Sequence, residues 1–141
     1  PYTETIGAGI SKENPVDILA YRYPVLTVRA ETDPELVYTF IKALDETYDM
    51  YKDATAVMPR WRLSEAGTPA IDVPFHAGAI RYLKEKGIWT EEHQAWNDQR
   101  TERLNVLIAA WPKAMAEADG KSDDEFAVIW EKHRMEALNS L

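Results

Sequence analysis

Apolar positions along this chain change their spacing from segment to segment, and each change predicts an element. Residues 18–29 are dense in Ile, Tyr, Val and Thr, and Pro24 argues against helix, so Val25-Leu26-Thr27-Val28 reads as a short buried strand. Thr32-Asp33-Pro34-Glu35 then announces a helix. Thr32 and Glu35 have capping-box spacing, Asp33 is the alternative cap, and Pro34 is tolerated in a first turn. Leu36, Val37, Phe40, Ile41, Leu44, Tyr48 and Tyr51 follow at helical spacing to about Lys52 and predict one broad core-facing side. The pattern breaks at Met58-Pro59-Arg60-Trp61-Arg62, where a short helix suffices, and Gly67-Thr68-Pro69 reads as a turn.

Pro74 and Gly87 bracket the next helix, because proline suits a helix entry and glycine supplies the left-handed residue that ends one. Ile80, Leu83 and Tyr82 share its apolar stripe, while Arg81, Lys84, Glu85 and Lys86 are solvated. Thr90 caps a long helix whose first turn carries Glu91 and Glu92, favourable at the positive end of the helix dipole. Trp96, Arg100, Leu104, Leu107, Ile108, Trp111 and Met115 trace its expected buried stripe, and Pro112 predicts a kink. Gly120 marks the stop. Ser122-Asp123-Asp124-Glu125 is a capping box for a terminal helix with Phe126, Ile129, Trp130, His133, Ala137 and Leu138 on its apolar face, so an antiparallel helical pair is expected.

Charge and composition narrow the function. The chain has 141 residues, enough for one ordinary domain, and 45% hydrophobic residues suffice for a core. With 24 acidic against 16 basic residues the net charge is -8, and no basic cluster interleaves with aromatics, so nucleic acid is excluded as a partner. The absence of cysteine removes disulfides, thiolate metal sites and a cysteine nucleophile. His93 and His133 form no zinc clamp, no nucleophile elbow or phosphate loop is present, and the acidic pairs sit at helix starts where capping explains them. The expectation is a protein without catalysis, metal or cofactor. Arg60 and Arg62 beside Trp61 offer anion binding, with pairing to the chain's own acids as the simpler role. Pro1-Tyr2-Thr3-Glu4 lacks the features of a secretory signal, and further sequence is expected ahead of it.

His76 and Gly78 stand out within the Pro74 to Gly87 helix. Glycine inside a helix costs about 1 kcal/mol relative to alanine, so Gly78 implies close approach of another backbone or of a ligand. The run Val73-Pro74-Phe75-His76-Ala77-Gly78-Ala79-Ile80-Arg81-Tyr82-Leu83-Lys84-Glu85-Lys86-Gly87 resembles a signature near the C-terminus of TAXI-type solute receptors, the binding subunits of one class of TRAP transporters. That signature has the form V-P-x-H-P-G-A-x-x-Y-x-x-E-x-G, and only Ala77 departs from it. The opening Ile6-Gly7-Ala8-Gly9 is similar to the middle of such receptors, although Ala8-Gly9-Ile10-Ser11-Lys12 replaces the family's Tyr-Pro-Gly.

The resemblance covers roughly the first two-thirds of the chain. It implies the C-terminal part of an α/β type II periplasmic-binding-protein fold; taken by itself this part is expected to be mainly α with a small β component, an α+β chain. Residues 1–33 would form an extended segment crossing between lobes, 34–88 a helical region of receptor type, and 89–141 a C-terminal helical pair. The implied function is capture of a small anionic solute, an amino acid or dicarboxylate, in the periplasm for a membrane permease subunit. His76, Gly78, Arg81 and Tyr2 are the implied ligand-binding residues. A lone C-terminal part would leave strand edges and apolar faces uncovered, so self-association is expected. The alternative is an autonomous helical protein-interaction domain.

Overall fold

A computed structural model describes residues 2–5, 7–19, 25–69 and 73–141. The chain is mostly helical with one small antiparallel sheet, as the sequence pattern implies. Strands β1 (Tyr2–Glu4) and β2 (Val16–Ile18) pair with Tyr2 opposite Ile18 and Glu4 opposite Val16. Thr3 donates across the ladder to Asp17 at 2.7 Å. The expected strand at residues 25–28 is not one: it has no ladder, and Val25, Leu26 and Val28 are exposed. A buried strand needs neighbours on its edges, and no described residue pairs with 25–28. Residues 20–24, which belong to the same expected extended stretch, lie outside the described residues.

Helix α1 (Pro34–Glu46) starts where its cap places it. Of the two candidates Asp33 is the cap, accepting from Glu35 N–H at 2.9 Å. The single helix expected to about Lys52 divides at Thr47, whose hydroxyl donates back to the Ala43 carbonyl at 2.7 Å, and a separate turn, α2 (Tyr48–Tyr51), follows. Tyr51 closes the junction by donating to the Leu44 carbonyl at 2.9 Å. The apolar face is narrower than the spacing suggested: Val37 is buried, whereas Leu36 and Phe40 are exposed.

A 3-10 turn (Met58–Trp61) and α3 (Leu63–Ala66) carry the chain back, and Arg60 pairs with Glu4 of β1 at 3.2 Å. The anion offered to Arg60 is thus the chain's own carboxylate. Helix α4 (Ala77–Glu85) packs on α1 and contributes the buried Ala79, Tyr82 and Leu83. Gly87 ends it with φ +69°, as the sequence requires.

Helix α5 (Glu91–Glu117) begins at a reciprocal box in which the Thr90 hydroxyl accepts from His93 N–H and His93 Nδ1 accepts from Thr90 N–H. It runs through Pro112 as one helix. Its expected buried stripe is corrected: Asn97, Ala110 and Ala114 are buried, while Leu104, Ile108, Trp111 and Met115 are 43, 60, 45 and 47% exposed. The reason is that α6 (Asp123–Leu138) seats on the small Ala110 and Ala114 side of α5, which lets the backbones approach. Trp111, at the border of that contact, packs edge-on against Phe126 and Trp130, and Glu117 holds His133 at 2.7 Å. The Ser122 and Glu125 capping box is present in both directions.

Candidate functional site

The segment entering α4 is held from both sides. Phe75 N–H donates to the buried Asn97 side chain of α5 at 2.7 Å, and the Phe75 ring packs against Trp89 and Trp96 with centroids at 5.1 and 6.5 Å. This anchoring sets the backbone at His76, which is extended (φ -71°, ψ 147°) and caps α4. His76 Nδ1 accepts from Gly78 N–H at 3.2 Å. In the neutral ring that assignment puts the proton on Nε2, which becomes a donor.

Gly78 answers the question its place in a helix raised. A Cβ there would lie 2.2 Å from the Pro34 carbonyl oxygen and 2.9 Å from Tyr38 N and Val37 Cβ, so what approaches is the backbone of α1. The seam between the helices continues through polar pairs. Tyr82 donates to Asp45 at 2.8 Å, and Lys86 reaches the same carboxylate oxygen at 3.0 Å. Burial, and then the Asp45 bond, push the Tyr82 hydroxyl well above its usual range. The Asp45 bond likewise raises Lys86. Tyr38 meets Tyr82 edge-on at 5.5 Å and donates to Glu85, a bond that raises its hydroxyl.

Arg81 lies on the outer side of this seam. It pairs with Glu35 at 2.7 Å and its guanidinium sits 3.8 Å over the Tyr38 ring. Beside it a shallow, solvent-open depression is lined by Ala77, Ile80, Arg81, Lys84 and Gln94. Gln94 is oriented by Trp89 Nε1–H, which it accepts at 3.0 Å, and by Asp98, to which it donates at 2.9 Å. The described residues form no cluster of metal-ligating side chains, and none of their helices is long and apolar enough to cross a membrane.

Of the four residues singled out in the sequence, His76 and Gly78 are joined by the cap, and Arg81 follows on the same helix. Tyr2 is on β1, opposite Ile18 in register, and its side chain lies outside what is described. Sequence reasoning missed Asn97, Asp45 and Gln94. Asn97 left one signal, a buried-type position seven residues before Leu104 occupied by a polar residue, and Gln94 another, its i,i+4 spacing to Asp98; the Tyr82 partner of Asp45 comes from tertiary packing and left none.

His76 caps α4 at the positive end of the helix, and Arg81, paired with Glu35, and Lys84 line the open depression along the same helix. No curated protein and no solved structure matches the chain. A family model does match, over residues 3–87, ending at the glycine that closes α4. That span covers more than half of the sequence, and the chain belongs to the NMT1-like family, a family related to periplasmic solute-binding proteins.

Proposed function

We infer that this chain is the C-terminal part of an extracytoplasmic solute receptor of a TRAP-type transporter, of the TAXI kind, which captures an amino acid or dicarboxylate and delivers it to a membrane permease. The observation that carries the reading is the coincidence at α4. The family match and the receptor-like signature both end at Gly87, and the helix between presents His76 Nε2 at its positive end. Arg81 and Lys84 at the adjoining rim add positive charge to an acidic chain. In this reading the reaction is transport without chemistry, the site is periplasmic, and a signal sequence precedes the receptor.

The same reading accounts for what the chain leaves uncovered. The depression at α4 is open and shallow, and solute sites bury most of a ligand's surface, so this chain supplies one wall and the other lobe supplies the second. Residues 25–28, apolar and unpaired, are then the strand that the other lobe's sheet takes up.

His76→Asn tests the role of the imidazole. Asparagine is a good helix cap, so its side-chain oxygen replaces Nδ1 and the melting temperature should hold, while the Nε2 donor is lost. In the two-lobed receptor, solute affinity measured by calorimetry should fall at least about tenfold, the loss of one hydrogen bond to a charged group. Unchanged affinity with unchanged melting would remove His76 from the solute site.

A further inference from the structure

The uncovered face of α5 is a pattern with a centre. Leu104, Ile108, Trp111 and Met115 are spaced by four, three and four residues, the seam spacing of packed helices, and all four are substantially exposed. At 3.6 residues per turn this stripe is rotated away from the buried Ala110 and Ala114, and at its border Trp111 packs against Phe126 and Trp130 of α6. Toward the start of α5 the same stripe passes through Asn97, which is buried beneath the segment entering α4. The face is therefore one that the protein already uses for packing, continued into solvent.

Two features select the occupant. First, Leu104 lies as far before the midpoint of the stripe as Met115 lies after it, and Ile108 as far before as Trp111 after. A stripe that reads the same in both directions is self-complementary about a two-fold axis. Second, the stretch from Leu104 to Ala116 has Lys113 as its one charged residue, and helical spacing puts Lys113 on the side opposite the stripe. Two copies of a chain of net charge -8 repel, yet this face brings no like charges together. A partner recognised through charge would find nothing here to read.

We propose that a second copy of this chain occupies the face, the two α5 helices packing antiparallel with Leu104 of one copy against Met115 of the other and Ile108 against Trp111. This dimer rests on α5 and is independent of solute binding. It also differs from pairing through the uncovered strand edges, because it leaves residues 25–28 free.

The 141-residue chain has no cysteine, which makes the test clean. In sedimentation equilibrium at about 100 µM the chain should be dimeric, as a Kd of about 10 µM or below requires. Ile108→Glu should weaken the dimer at least about 100-fold by placing a charge in the seam. Leu104→Cys chains mixed with Met115→Cys chains should form disulfide heterodimers under mild oxidation, in preference to Leu104→Cys or Met115→Cys homodimers. A monomeric wild type at that concentration would overturn the proposal. So would a dimer that survives Ile108→Glu, or homodimer crosslinks that equal the mixed ones. Should Ile108→Glu fail to fold, the crosslinking of the two cysteine chains decides the matter.

Discussion

Replacing Gly78 by alanine is the sharpest probe of the seam that sets the α4 site. The added Cβ would stand 2.2 Å from the Pro34 carbonyl oxygen and 2.9 Å from Tyr38 N. Ordinary contacts lie at about 3.5 Å, so α4 must retreat by roughly 1 Å from α1. These two are backbone atoms, and the third, Val37 Cβ at 2.9 Å, is fixed to the backbone, so no rotamer change relieves the clash. Overpacking of this kind costs about 1–3 kcal/mol, and backbone opponents place it near the upper end. Alanine returns about 1 kcal/mol of helix propensity. The net loss is about 2 kcal/mol, which for a chain of this length lowers the melting temperature by about 6 °C. Thermal and urea unfolding followed by far-UV circular dichroism would measure it. A Gly78→Ala protein as stable as wild type, or more so, would refute the claim that α1 backbone dictates glycine here.

Other consequences follow from the same geometry. Asn97→Ala removes the acceptor of the part-buried Phe75 N–H and a buried side chain, which should cost about 1–2 kcal/mol in urea unfolding; a loss below about 0.5 kcal/mol would mean that the segment entering α4 is not anchored there. At alkaline pH the seam should weaken. Tyr82, raised chiefly by burial, Tyr38, raised by its Glu85 bond, and Lys86, raised by its Asp45 bond, all hold their protons more tightly when folded. Their contribution is intact below the unfolded values of about 10 for tyrosine and 10.4 for lysine, and is lost as pH rises through the higher folded values. Melting temperature should therefore fall as pH climbs above about 10, and Tyr82→Phe should flatten part of that slope; a profile that stays level there would contradict the Asp45 network.

Much of this architecture was legible because local chemistry and tertiary structure agree. The caps at Asp33, Thr90 and Ser122, the stop at Gly87 and the buried Tyr82 and Leu83 are all written in short-range sequence. The errors arise where a partner decides. Residues 25–28 have strand composition but pair with no described strand, and Thr47 marks the end of α1 by bonding back to Ala43, a break that the helical spacing of Leu44, Tyr48 and Tyr51 concealed. In α5 the large residues suggested the buried stripe, whereas α6 chose the alanines, which permit closer approach. His76 and Gly78 were visible as oddities, and the structure gives each a concrete partner, the helix cap and the α1 backbone. Asp45 could not be found beforehand, since its role depends on a tyrosine 37 residues away, whereas Gln94 sits one helical turn before Asp98 and five residues after Trp89, a local pattern that was passed over.

The central proposal, that this chain is one wall of a solute receptor, is tested most directly by calorimetric titration of amino acids and dicarboxylates against two forms: this chain, and the receptor in which sequence ahead of Pro1 supplies the second lobe. With one wall missing, a small anion keeps most of its hydration, so the chain by itself should bind no tighter than about millimolar, roughly 4 kcal/mol. The two-lobed form should bind one of these solutes at micromolar Kd or better, about 8 kcal/mol. Micromolar binding by this chain without the second lobe, or no binding of any such solute by the two-lobed form, would contradict it.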